Sequence, residues 1–174
     1  MKIYFVAHAT TTDNEAKLAS GWKDVGLSEL GIKQANELRD QVKDLDIDLV
    51  CCSDLKRATD TVKIAFGDKL PVIIDQRLRE LNYGDLNGAP KEQVEALKLK
   101  AINEPYPNGE SYNQAIERTH AFYKELKEKH PDKIVLVVGH RATQYGLDTL
   151  VNNKNLEELV STPFKWQPYW EYKI

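Results

Sequence analysis

Four short apolar runs rich in isoleucine and valine set the frame of this chain: Met1–His8, Leu49–Ser53, Leu70–Leu78 and Lys133–His140. Runs of this kind suit strands covered on both faces, as in a parallel sheet held between two helix layers. The segments between them carry helical spacing. In Ser28–Val42 the apolar positions Leu30, Ile32, Ala35, Leu38 and Val42 mark one stripe, with Ser28 as the expected N-cap. Ser53 is the expected cap of a second helix, in which Leu55, Ala58, Val62, Ala65 and Phe66 face inward.

A third helix is expected over Lys91–Ala101, a fourth after Ser111 with Ala115, Ile116, Phe122, Tyr123 and Leu126 inside, and a fifth after His140. The closing stretch "FKWQPYWEYKI" alternates Phe164, Trp166, Trp170, Tyr172 and Ile174 with period 2. Pro168 interrupts it, which places that strand at a sheet edge or a bulge, with Trp166 and Trp170 packing on its face. Strand and helix alternate throughout, so the expected architecture is a three-layer α/β/α sandwich with a mostly parallel central sheet. No repeat or linker divides residues 1–174, and a single domain is expected.

Composition narrows the function. A net charge of −3 argues against a general nucleic-acid surface, while leaving room for a local cationic pocket. The two cysteines, Cys51 and Cys52, are adjacent in an apolar run, where strand geometry points them to opposite faces and argues against a disulfide between them. Both read as core residues. No metal-ligand spacing is present, and a metal site made from His8, His140 and a carboxylate is the weakest reading. The N-terminus has no apolar stretch of signal-peptide length and no membrane span follows, so a soluble cytoplasmic protein is expected.

Ligands of such a sheet bind beyond the carboxyl ends of the strands. His8 and His140 each stand where an apolar strand ends and a loop begins, so the fold would bring both to one edge. His120 and His130 lack that context. Arg57 lies in the first turn of the helix after "LVCCSDL", at a third strand end, and suits bidentate phosphate binding. Glu80 follows "PVIID" in the loop "RLRELNYGDLNG", where a carboxylate can hand a proton to a leaving alkoxide.

These pieces resemble the motifs of the histidine phosphatase superfamily, the phosphoglycerate-mutase-like proteins, along nearly the whole chain. "FVAHATTTDN" is similar to the N-terminal motif LxRHGxTxxN and keeps His8, Thr11 and Asn14. "GWKDVGLSELGIKQA", "SDLKRATDT", "RLRELNYGDLNG", "PNGES" and "VVGHRAT" resemble the later motifs in the family's order. The resemblance implies that His8 attacks phosphorus, that Arg57 and His140 neutralise the phosphoryl oxygens, and that Glu80 protonates the leaving group. It implies phosphomonoester hydrolysis of a small phosphorylated substrate, without a cofactor. Thr11 and Asn14 would hydrogen-bond the phosphate, or else cap their own loop.

The sequence departs from the family's pattern at Ala7, where the resemblance places an arginine directly before the nucleophile. Ala9 likewise stands for a glycine, and Arg141 for a small residue. Arg141 offers a replacement cation for the same phosphate; the alternative is that it points to solvent or pairs with a carboxylate such as Glu110. The second function class is a phosphate-binding or regulatory module that keeps the fold without turnover.

Overall fold

The computed structural model describes all 174 residues. The chain runs β1 (Lys2–Ala7), α1 (Thr12–Glu15), β2 (Leu18–Ala19), α2 (Glu29–Gln41), β3 (Leu49–Cys52), α3 (Lys56–Phe66), β4 (Val72–Ile74), β5 (Ala89–Pro90) and α4 (Lys91–Leu97). It continues through α5 (Tyr112–Lys129), β6 (Ile134–Gly139), α6 (Arg141–Asn152), α7 (Leu156–Ser161) and β7 (Trp170–Lys173). Five strands form the main sheet in the order β4-β3-β6-β1-β7, and β2 with β5 forms a small separate ribbon. All neighbours in the main sheet are parallel except β7, which lies antiparallel on the outer edge of β1.

Alternation along β1 divides the core. Ile3 and Phe5 face Phe122, Tyr123 and Leu126 of α5 and Leu147 of α6. Tyr4 and Val6 face Leu38 of α2 and Ala58 and Val62 of α3. Two helix layers therefore cover the sheet, and the strands between them need no polar face. Cys51 and Cys52 are fully buried in β3, one in each half of this core. No helix is long and apolar enough to cross a membrane.

Several elements differ from the sequence pattern for identifiable reasons. Leu70–Leu78 is a strand only over Val72–Ile74, because Asp75 accepts a bond from the Arg77 amide at 2.8 Å and turns Gln76–Leu78 into a 3₁₀ helix. As the edge strand, β4 leaves Ile74 56% exposed rather than covered. In α2 the inward stripe passes through Gly31, Ala35 and Leu38, while Leu30 and Ile32 are exposed. Helical geometry allows both stripes; the structure selects the one containing glycine because a Cβ at Gly31 would stand 1.9 Å from the Thr10 carbonyl oxygen. Ser28 caps α2 as expected, accepting from Gly31.

The third helix ends at Leu97, with Lys100–Ile102 as a separate 3₁₀ turn. Ser111 caps α5, accepting from Gln114, whose side chain returns to the Ser111 amide. The C-terminal strand does lie on a sheet edge, but the period-2 pattern overstates it. Pairing starts at Trp170, two residues past Pro168, and Trp166 is 65% exposed instead of packed.

Candidate active site

Register brings the two histidines together. In the β1–β6 pair Ala7 is opposite Gly139, so His8 and His140 follow each other's partners directly at the carboxyl end of the sheet. The His8 amide adds one more ladder bond to the Gly139 carbonyl, at 3.0 Å. The imidazole centroids are 5.0 Å apart.

His8 Nδ1 lies 2.8 Å from its neighbour's carbonyl, Ala9 O, and only an N–H can satisfy that oxygen. The tautomer thus carries its proton on Nδ1 and leaves the Nε2 lone pair free. Burial, then the charge of Arg57, pulls the His8 pKa from its ordinary 6.5 down to about 3, so the ring is neutral at pH 7. The amide of Ala9 donates to Thr61 Oγ1 at 3.0 Å, and Thr61 donates to the Arg57 carbonyl at 2.7 Å, tying the loop after His8 to α3. Ala9 keeps a negative φ, so an alanine there is accommodated without backbone strain.

His140 is 2% exposed. Its Nε2 lies 2.7 Å from Ser53 Oγ, and its Nδ1 is buried without a hydrogen-bond partner. Burial first, then Arg57, His8 and Arg118, hold its pKa well below the ordinary histidine value. Ser53 was expected to cap α3. The N-cap is instead Leu55, which has no side-chain cap, and the Ser53 hydroxyl reaches across the sheet end to His140.

Arg57 is as buried as His140 and donates to the carbonyls of Gly21 at 2.7 Å and Lys23 at 3.2 Å. The Gly21 carbonyl is presented by a residue at φ +52, where an added Cβ would meet Asn87 Oδ1 at 2.0 Å, so glycine is required. The guanidinium is thereby fixed by neutral acceptors, and no carboxylate forms an ion pair with it. Burial lowers its pKa, with Glu80 foremost among the groups opposing the shift. It stays charged at any pH of interest.

Glu80 sits on the N-terminus of α6. Oε1 accepts from Leu81 N at 2.8 Å and Ala142 N at 3.1 Å, and Oε2 accepts from Arg141 N at 3.2 Å. The loop carrying it is held from below by Arg118, which the sequence reading had not singled out. Arg118 forms a bidentate pair with Glu110 at 2.9 and 3.0 Å and donates to the carbonyls of Arg77, Arg79 and Glu80. Trp22 adds a bond from Nε1 to the Glu80 carbonyl at 2.7 Å. Glu110 is thus Arg118's partner, and Asn82 N also donates to it at 3.0 Å.

Thr11 and Asn14 close a reciprocal capping box on α1, each side chain accepting from the other's amide at 3.0 Å. Thr11 is wholly buried. Of the two roles open to them, the structure displays the cap. Arg141, the candidate replacement cation, has neutral partners of its own. Its guanidinium donates to Gln144 Oε1 and the Tyr145 hydroxyl, both at 3.0 Å, and lies over the Tyr145 and Phe164 rings. It does not pair with Glu110, which Arg118 already holds.

Residues 3–162 match the family model of the histidine phosphatase superfamily, branch 1, and the chain belongs to that family. It is 32% identical over 161 residues to Uncharacterized phosphatase PhoE of Bacillus subtilis, covering 92% of this chain and 81% of that one. It is also 32% identical over 144 residues to Probable phosphatase C1687.21 of Schizosaccharomyces pombe, covering 80% of this chain and 68% of the relative. Among solved structures, the α-ribazole phosphatase from Shigella flexneri superposes with a TM-score of 0.80 at 27% identity, over 91% of this chain and 83% of that one. YhfR of Bacillus stearothermophilus shares the fold at TM-score 0.87 and 23% identity, over 99% and 91% of the two chains.

Proposed function

We propose that this chain is a phosphomonoesterase acting through a phosphohistidine on His8. The observation that carries the reading is the pinned Nδ1–H of His8, which leaves a neutral Nε2 lone pair in a site whose arginine has no ion-pair partner. Nε2 attacks the phosphorus of a small phosphomonoester; the N–P bond forms as the P–O bond to the leaving group breaks. Glu80 gives the leaving oxygen its proton. Oε2, whose one amide bond is the longest of the three, is the oxygen freer to do so. Water then attacks the phosphohistidine, Glu80 takes back a proton, and inorganic phosphate leaves.

Arg57 and the unpartnered Nδ1 of His140 face the charge that builds on the equatorial oxygens. For Nδ1 to donate, His140 carries its proton there while Nε2 accepts from the Ser53 hydroxyl. Thr11 and Asn14 keep the loop in shape through their cap. The relatives named phosphatases support hydrolysis as the reaction class. Ala7 favours a second reading: a module that binds phosphorylated ligands without turning them over.

The two readings separate in one experiment. The protein is incubated with an aryl phosphate, quenched in alkali, and searched for an acid-labile phosphoryl group on His8, beside His8→Ala. An adduct and turnover, both lost in the variant, support the enzyme. Phosphate binding with neither adduct nor turnover supports the binding module.

A further inference from the structure

The chain has six arginines, and their partners sort them. Arg77, Arg79 and Arg118 are each ion-paired to a carboxylate, and Arg39 is exposed on α2. Only Arg57 and Arg141 are shielded from solvent to some degree and yet have no acidic partner. A partly desolvated guanidinium without a counter-ion is a cost that an incoming anion relieves. For Arg57 that anion is the phosphoryl group. Arg141, the residue after His140, has the same signature.

Arg141 lines a cleft of about 330 Å³ between α6, α7 and the segment leading to β7. Its guanidinium is stacked 4.7 Å from the Tyr145 ring centroid and 4.9 Å from that of Phe164, which fixes the plane and leaves three of its five N–H donors unused. Lys165 lines the same cleft, also without an acidic partner. Two acids oppose them: Asp148, already paired with Lys154 at 2.8 Å, and Glu158. Gln167 borders both this cleft and the smaller cavity, about 60 Å³, beside Ala7 and His8. Arg141 itself joins the cleft to the site: it follows His140 directly, and its amide donates to Glu80 Oε2 at 3.2 Å.

We propose that this cleft is a substrate subsite for a second anionic group: the substrate is a phosphomonoester whose far end bears a carboxylate or a further phosphate, received by Arg141 and Lys165. The proposal rests on the phosphate-binding reading of the His8 site. It also assigns Arg141 to the distal end of the ligand, leaving the transferring phosphoryl group to Arg57 and His140.

The test uses binding, so that turnover is not needed. Alkyl phosphonates of increasing chain length, each with and without a terminal carboxylate, are titrated calorimetrically into the protein. At the length that reaches from His8 into the cleft, the carboxylate should tighten binding roughly tenfold, as one charge-assisted hydrogen bond does. Arg141→Gln and, independently, Lys165→Gln should shrink that gain, while Glu158→Gln should enlarge it. No gain at any length, or a gain that survives both Arg141→Gln and Lys165→Gln, overturns the subsite even if plain phosphonates bind. A protein that binds none of the phosphonates overturns the phosphate-site reading and the subsite with it. A carboxylate gain without any turnover of aryl phosphates overturns catalysis and leaves the subsite standing.

Discussion

Ser53 Oγ lies 2.7 Å from His140 Nε2, joining the end of β3 to the end of β6 through two fully or nearly fully buried side chains. That bond selects which nitrogen of His140 is left to face a ligand. Ser53→Ala removes it and leaves Nε2 unpaired as well as Nδ1. Turnover of an aryl phosphate should fall about 10- to 100-fold in kcat, from about 1.5–3 kcal/mol of lost orientation and charge stabilisation, and KM should change little. Ser53→Thr, which keeps the hydroxyl, should recover much of the rate. A variant with wild-type kcat would show that the serine is only a packing residue.

Ala7 closes β1 on the face of Ile3 and Phe5, the side where α6 packs. An arginine there would add a charge-assisted bond to the bound phosphoryl group, worth about 1.5–3 kcal/mol. Ala7→Arg should therefore raise kcat/KM for simple phosphomonoesters roughly 10- to 100-fold. An unchanged kcat/KM would mean that Arg57 and His140 already meet the full electrostatic demand.

Acid should destabilise the fold through the two site histidines. In the unfolded chain both rings take up a proton near pH 6.5; folded, His8 does so only at about 3 and His140 well below the ordinary value. Below pH 6.5 the unfolded state binds more protons, so stability falls as pH falls, by up to about 1.4 kcal/mol per pH unit for each ring. Urea unfolding of His8→Asn between pH 6.5 and 4.5 should show a shallower decline than wild type. Equal slopes would sink the assignment of His8 as a neutral, desolvated imidazole.

Arg118 and Glu110 hold the loop of Glu80 through a bidentate pair and three carbonyl bonds. Arg118→Met leaves Glu110 and three carbonyls short of donors, and should cost about 3–5 kcal/mol of stability. Hydrogen exchange should accelerate first at Leu81 and Asn82, whose amides donate to Glu80 and Glu110. Protection unchanged at those two amides would refute the clamp.

Gly31 lets α2 approach the loop that follows His8. Gly31→Ala would place a Cβ 1.9 Å from Thr10 O, against backbone that cannot rotate away. A loss of about 1–3 kcal/mol is expected despite alanine's better helix propensity, together with a drop in kcat as the His8 loop shifts. A more stable variant would show that the contact relaxes freely.

Much of this site could be read from the residues alone because its anchors are strand ends. Apolar runs place His8 and His140 at the edge of a parallel sheet, and parallel register then makes them neighbours. Ser53, Thr61 and Arg118 were harder to see because their work is done across the fold: each bonds a residue far off in sequence, so no local period marks it. In the α2 stripe Ala35, Leu38 and Val42 are buried as expected, but at its start hydrophobicity favours Leu30 and Ile32, whereas close backbone approach favours Gly31. For Arg141 the sequence identified a cation beside the second histidine. Its aromatic stacking partner Phe164 comes from a distant segment, and that contact decides where the charge lies.

Glu80 takes two of its three amide bonds from Arg141 and Ala142, the two residues that follow His140. Glu80 and His140 are thereby fastened to the same first turn of one helix and travel as a single piece. A tilt of α6 by a bulky ligand would carry both together, so their mutual spacing survives. The walls around them, from the loop at Asn82 and the segment before β7, can then be remodelled over evolutionary time to admit new leaving groups without recalibrating the chemistry.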